Sequence, residues 1–245
     1  MTLLAPTAVA RAPEADEPRG AISAAPGPPA LALLRVSKRW RSGLAPVLDD
    51  VSLTLERGTR TWIGGRNGVG KTTLLRVAAG LIEPERGWVG ARGITPRENR
   101  ARYQRLVSLL AAGDRGLYAR LSVRAHLDLC VRLAMMPRAR LRPGVERAID
   151  TFQLSQLAER RVDRLSMGQR QRLRVAMTFL PEPHVVLLDE PLTSLDTEGA
   201  ALLAEASREV QVRGGAVLWC SPDGDRLPEG FDARWLLERG RLEAA

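Results

Sequence analysis

At 245 residues with 44% hydrophobic content, the chain is long enough to bury a core without disulfide or metal staples and sits near the upper size of a single domain. Cys130 and Cys220 lie inside apolar stretches, and His126 and His184 have no ligand-like spacing to them, so no zinc site is expected and the thiols read as reduced. The net charge of +9 comes from arginines spread among acids from Arg35 to Arg241, without the aromatic interleaving of a base-stacking surface, so no nucleic-acid partner is expected. No run approaches the roughly 20 apolar residues of a spanning helix, so direct membrane insertion is not expected either. Residues 1–30 are dominated by Ala, Pro and acids and end in Pro26-Gly27-Pro28-Pro29; they fit neither a secretory signal nor an Arg-rich transit peptide. They are read as a disordered extension of a cytosolic protein, ahead of one domain over residues 31–245.

From Leu31 onward, short apolar runs alternate with helical patterns, the rhythm of an α/β domain on a largely parallel sheet. Val51, Leu53 and Leu55 alternate with polar residues, which predicts a strand buried on one face. Arg60 to Ile63 predicts a second strand, and Leu74, Leu75, Ala78 and Ala79 then keep helical spacing until Gly80, which is placed to end that helix. Between about residues 115 and 164 the period becomes helical. Val123, Leu127, Cys130, Val131 and Ala134 share one face and Val145, Ala148, Ile149 and Phe152 another, with Pro137 and Pro143-Gly144 punctuating the turn between them. Val185 to Leu188 is apolar at every position, as a central strand covered on both faces requires. Ala216 to Cys220 reads the same way, and Arg234 to Leu242, broken at Arg239-Gly240, reads as a hairpin.

Between the Arg60 strand and the following helix, Gly65-Arg66-Asn67-Gly68-Val69-Gly70-Lys71-Thr72 matches G-x-x-x-x-G-K-[ST] in the strand-to-helix context that this phosphate-binding loop requires. Its glycines let successive N–H groups turn inward around a polyphosphate, and the helix N-terminus adds the positive end of its dipole. Lys71 supplies a mobile charge for the outer phosphates. The Thr72 hydroxyl serves Mg²⁺, and Thr73 is positioned for a further phosphate contact. Asp189 and Glu190 stand at the C-terminal tip of the Val185 strand, where open α/β sheets bind ligands. There Asp189 would hold Mg²⁺, mostly through water, and Glu190, on the opposite side of the pleat, would orient or deprotonate an attacking water.

With these segments goes Leu165-Ser166-Met167-Gly168-Gln169-Arg170-Gln171-Arg172, and over nearly all of residues 33–243 the sequence resembles the ATP-binding subunits of ABC transporters. Met167 stands where the family's signature usually has glycine. Read from the residues, Ser166 and Gln169 form a capping box at a helix start. The resemblance implies a P-loop NTPase (RecA-like) core with an antiparallel β subdomain and an inserted helical subdomain. It also implies ATP and Mg²⁺ as ligands and a head-to-tail dimer with a second ATP-binding subunit. Each ATP would be touched by Lys71 of one subunit and by Ser166 and Gly168 of its mate, with Gln169 in the same segment. Trp40 looks like the aromatic that stacks on adenine. Ser194-Leu195-Asp196 resembles the loop linking the two sites, although Asp196 suits a simple N-cap equally well.

The resemblance further implies membrane-spanning permease partners docked along the groove from Gly113 to His126, and the Gly-Asp-Arg at residues 113 to 115 looks most like exporter-type systems. Two positions depart from the family pattern. Gly113 stands where the family's glutamine is expected, and Gln104, too early to replace it, reads as a helix-surface residue. Pro222 stands where the switch histidine is expected, and neither His126 nor His184 can substitute. The expected activity is therefore a slow ATPase. Alternatives are an ATP-gated module with little hydrolysis and an ABC-type ATPase unconnected with transport.

Overall fold

The computed structural model of the protein describes residues 27–41, 45–113, 116–222 and 230–245. Most of the extension expected over residues 1–30 lies outside these; Ala30 itself is buried, its carbonyl accepting from the Arg92 N–H at 3.2 Å. In chain order the elements are β1 (Leu31–Lys38), β2 (Leu48–Leu55), β3 (Arg60–Gly64), α1 (Lys71–Ala78), β4 (Arg86–Ala91), α2 (Arg100–Leu106) and β5 (Val107–Leu110). They continue as α3 (Val123–Leu133), α4 (Arg138–Thr151), two single 3₁₀ turns, α5 (Met167–Phe179), β6 (Val185–Asp189), α6 (Thr197–Val212), β7 (Ala216–Cys220), β8 (Ala233–Glu238) and β9 (Arg241–Ala244).

Two sheets result. One is antiparallel, in the order β2-β1-β4; the other has the order β5-β6-β7-β3-β8-β9, with β5, β6, β7, β3 and β8 mutually parallel and β9 closing an antiparallel hairpin. In β2 every residue at Leu48, Val51, Leu53 and Leu55 is buried, and the step out of strict alternation falls at Asp50, whose φ of 57° marks a bulge opposite β1. β3, β6 and β7 are buried at all positions; the apolar runs of β6 and β7 require it, whereas β3 also buries Arg60 and Thr61, Arg60 donating to the Gly230 carbonyl at 2.7 Å. Their pleat divides the core in two. Val186, Leu188, Val217 and Trp219 face α5, α6 and the helical insert, whereas Val185, Leu187, Leu218 and Cys220 face α1 and the antiparallel sheet.

α1 ends where Gly80 predicts: Gly80 adopts φ 66°, its N–H bonds the Val77 carbonyl and the Leu81 N–H the Arg76 carbonyl, the paired bonds of a left-handed helix stop. α3 and α4 form the helical insert, and α4 packs on α5 through the Phe152 and Phe179 rings. The expected turn at Pro143-Gly144 is not there. Pro143 lies inside α4, and the connection is made earlier, around Met135 to Pro137. The helix tolerates the lost N–H bond because its buried face, Val145, Ala148 and Ile149, packs into the core, and that packing outweighs local propensity.

The Tyr103 hydroxyl, fully buried, donates at 2.5 Å to the carbonyl of Ala78, one of the four carbonyls that α1 leaves without a helical partner. Tyr103→Phe is expected to lower unfolding stability by about 1–3 kcal/mol, read by urea denaturation, because it strands that buried acceptor. In α3, His126 is buried, its Nε2 accepting from the Tyr118 N–H at 2.7 Å while Nδ1 faces the Ser122 carbonyl at 3.3 Å. This arrangement needs the neutral ring, and burial holds its pKa below the ordinary 6.5. The stabilisation is complete above the ordinary value and is lost as pH falls through the depressed one. Thermal stability measured against pH is therefore expected to drop on the acid side, and His126→Gln to flatten that drop.

Candidate nucleotide-binding site

The parallel register brings the chemistry to one edge. Ile63 and Asp189 both pair with Cys220 of β7, so the chain leaves β3 and β6 at the same level, on either side of β7. From β3 it enters the loop Gly65 to Gly70, whose glycines take φ values of 144°, 80° and 120° at Gly65, Gly68 and Gly70. Two of these cannot carry a side chain: a Cβ on Gly65 would sit 2.6 Å from the Leu237 carbonyl oxygen, and one on Gly70 would sit 2.9 Å from that of Val47. α1 then begins at Lys71. The Lys71 Nζ folds back over the loop to the carbonyls of Gly65 at 2.5 Å and Arg66 at 3.1 Å. Arg66, Asn67 and Gly68 are exposed, while Lys71 and Thr73 are buried.

The Thr72 hydroxyl donates to Asp189 Oδ2 at 2.8 Å, and Asp189 is only 2% exposed. A buried carboxylate joined to a hydroxyl one helical residue past the lysine forms a pair of hard oxygen donors. That pair suits Mg²⁺, which takes one or two protein oxygens and draws the rest of its shell from water and phosphate. Among the described residues no group of three or more acidic, His or Cys side chains could hold a metal without such a substrate.

Glu190 does not continue the pleat as expected. Its φ is 47°, and its N–H bonds the Cys220 carbonyl at 2.8 Å, so the chain turns as β6 ends. The side chain reaches a cleft of about 250 Å³ lined also by Gly113, Met167, Gln171, Arg174 and Ser194. Trp40, after β1, is 55% exposed with the Lys38 ammonium 6.0 Å from its ring centre. Its loop is tied beside the phosphate cradle, since the Val47 N–H bonds the Lys38 carbonyl at 2.7 Å and the Val47 carbonyl abuts Gly70.

Ser166 caps α5 reciprocally with Gln169, at 3.2 Å to the Gln169 N–H and 3.0 Å from the Ser166 N–H to Gln169 Oε1. Together with Gly168 they line a different cleft, of about 660 Å³, that also contains Asp196. No hydrogen bond or ion pair among the described residues joins them to Lys71 or Thr72. Asp196 caps α6, accepting from the Gly199 N–H at 2.7 Å. That amide first, and the Arg172 guanidinium beside it, hold the Asp196 carboxyl below its ordinary range.

Gly113 is exposed at φ 82°, and Asp114 and Arg115 lie outside the described residues. Gln104 lies on the exposed face of α2. Pro222 follows Ser221, whose Oγ accepts from the Trp62 indole at 2.9 Å. Two arginines of α5 have roles that residue patterns did not suggest. Arg174 donates to the Gly113 and Ala111 carbonyls and to Gln171 Oε1, the last at 2.7 Å. Arg172 reaches Asp196 at 3.2 Å and Glu198 at 3.0 Å. The available signal was an arginine between Leu173 and Val175 on an otherwise apolar turn, three residues from Gln171.

The family profile described as ABC transporter matches residues 48–193. The ABC transporter ATP-binding protein NatA of Bacillus subtilis is 32% identical over 193 residues, covering 79% of this chain and 78% of that protein. The cytochrome c biogenesis ATP-binding export protein CcmA of Sphingopyxis alaskensis is 35% identical over 190 residues, covering 75% and 89%. Among solved structures, one titled as the ATP binding subunit of an ABC transporter superposes with a TM-score of 0.80 at 25% identity, covering 87% of this chain and 88% of the other. With a P-loop, a buried carboxylate bonded to Thr72 and a capped α5 on this α/β scaffold, the chain belongs to the ABC transporter family, as one of its ATP-binding ATPase subunits.

Proposed function

We propose that this chain binds MgATP between the Gly65–Thr73 loop and Asp189, and that it hydrolyses ATP only when a second ATP-binding subunit closes the site. The observation that carries the reading is the 2.8 Å contact of Thr72 with Asp189, which sets two hard oxygens beside the glycine loop and the N-terminus of α1. In this reading Lys71 leaves the Gly65 and Arg66 carbonyls to meet the outer phosphates, and the amides of Asn67, Gly68 and Gly70 enclose them, with Thr73 adding a further contact. Thr72 and Asp189 hold the Mg²⁺ that arrives with the nucleotide, and Trp40 stacks on adenine. Glu190 takes a proton from the water that attacks the γ-phosphorus as the bond to the ADP oxygen breaks.

Ser166, Gly168 and Gln169 of the mate cap the γ-phosphate with the N-terminus of α5. This is supported by their separation from Lys71 within one chain, which leaves that anion site facing outward. Asp196 links the two sites. The subunits meet head to tail, as a homodimer or with a related partner. Membrane-spanning permease subunits dock in a groove of about 450 Å³ between the end of β5 and α3, lined by Leu110, Tyr118, His126, Leu129 and Leu133. The protein thus works at the cytoplasmic face of the membrane. The direction we assign is export, on the likeness to CcmA. Relatives named as importers match at similar identity, because the engine is common to both and the permease sets direction.

In titration calorimetry the protein is expected to bind MgATP, Lys71→Ala to weaken that binding at least about 10-fold, and Glu190→Gln to retain it while abolishing phosphate release. Unchanged nucleotide affinity in Lys71→Ala would defeat the reading. Gly113 and Pro222 offer no side-chain donor to the γ-phosphate or the attacking water. Turnover is therefore expected to be slow, and Pro222→His to raise kcat roughly 10-fold or more with little change in MgATP affinity, since one lost donor of this type costs on the order of 10²–10³ in rate. A Pro222→His variant with unaltered kcat would show that the position is not rate-determining.

A further inference from the structure

The far end of the helical insert, around residues 132–142, carries an amphiphilic surface that the nucleotide site does not use. Leu133 is 73% exposed and Met135 59%. Arg132, Arg138 and Arg142 flank them in the chain and are exposed; none has a carboxylate within salt-bridge distance among the described residues, and Arg142 interacts with Glu146 only at longer range. The arginines nearer the body of the domain behave differently: Arg140 and Arg147 both grip Glu182, and Arg124 grips Glu146 and Glu159.

The backbone at this tip makes the exposure harder to ascribe to chance. α3 ends in the same motif as α1, with the Met135 N–H bonded to the Arg132 carbonyl at 3.0 Å and the Met136 N–H to the Val131 carbonyl at 3.1 Å. In α1 the left-handed position of that motif is Gly80; in α3 it is Met135, at φ 51°. A glycine would relieve the conformation and remove the exposed thioether, so the local preference is overridden twice at one residue.

We propose that this tip contacts an anionic phospholipid surface, with Met135 entering the headgroup layer, Leu133 standing at the boundary between that layer and the permease groove, and Arg132, Arg138 and Arg142 pairing with lipid phosphates. Guanidinium groups fit phosphate oxygens bidentately, and exposed apolar side chains flanked in the chain by exposed arginines match the boundary between headgroup and acyl chain. Contact is peripheral, since no helix among the described residues is long and apolar enough to cross a membrane. Leu133 also lines the groove assigned to the permease, so tip and groove look the same way. For that orientation alone the inference rests on the docking reading above.

The test is flotation of the full-length protein with vesicles of phosphatidylglycerol and phosphatidylcholine in equal parts, against phosphatidylcholine alone, without permease. Binding is expected only to the anionic vesicles and is expected to weaken with salt. The triple variant Arg132→Ala, Arg138→Ala, Arg142→Ala is expected to lower it on the order of 10²-fold. Met135→Gly is expected to raise the melting temperature yet weaken vesicle binding, which separates lipid contact from a folding defect. The proposal is overturned if the triple variant floats as well as the parent. It is also overturned if that variant loses affinity for polyuridylate rather than vesicles, or if Leu133→Ser changes oligomeric state and leaves flotation unaltered. MgATP affinity measured on the same samples keeps the outcomes apart: a protein that floats but binds no nucleotide refutes the nucleotide reading and leaves this one standing.

Discussion

The hydrogen bond between the Thr72 hydroxyl and Asp189 joins segments 117 residues apart in the chain, and the remaining architecture serves to hold it. Its geometry follows from three parallel strands ending level, with β7 as the spacer between the phosphate loop and the acidic strand tip. A slip of one residue in either pairing would turn Asp189 to the opposite face of the sheet, because side chains alternate with a period of two. All positions of β3, β6 and β7 are buried, so a slipped strand would have to repack close-fitting side chains on both faces at once. The polar pair is thus fixed by hydrophobic layers on either side of it.

The same edge is incomplete by construction. Lys71, without a polyphosphate, satisfies its ammonium on loop carbonyls, a contact that an anion would displace by charge. The second anion-seeking element, the capped start of α5, opens into another cleft. Two helix N-termini pointing into separate spaces of one chain are most economically used together when two chains meet, which is why the proposed catalysis depends on association.

α5 connects these parts. Arg174 holds the Gly113 and Ala111 carbonyls where the family resemblance expects a glutamine side chain, and Arg172 holds the Asp196 and Glu198 carboxylates at the start of α6. One helix therefore grips both the loop bordering the groove proposed for the permease and the loop after Glu190. A displacement of the Gly113 loop would be carried to α5 and its Ser166 cap through the partly buried Arg174 contacts, since charge-assisted hydrogen bonds are costly to break.

Much of this was readable in the residues. The glycine loop between a strand and a helix, the all-apolar run ending in Asp189-Glu190 and the Ser166–Gln169 box are local patterns, and local patterns survive in one dimension. The α/β class followed from periodicities that packing then enforced. What depended on distant contacts was not legible. Pro143 read as a turn because its cost is local while its compensation, the burial of Val145, Ala148 and Ile149 in the core, is tertiary. Glu190 read as the next residue of a strand until its amide met Cys220 of β7. Arg172 and Arg174 carried no assigned role, since nothing in sequence says which carbonyls and carboxylates will lie within reach. The sequence by itself determined the phosphate loop, the strand-borne acids and the helix caps, because each is written in a few adjacent residues. Only the tertiary structure decided which of them touch, because sheet register, not chain order, sets the distance between Thr72 and Asp189.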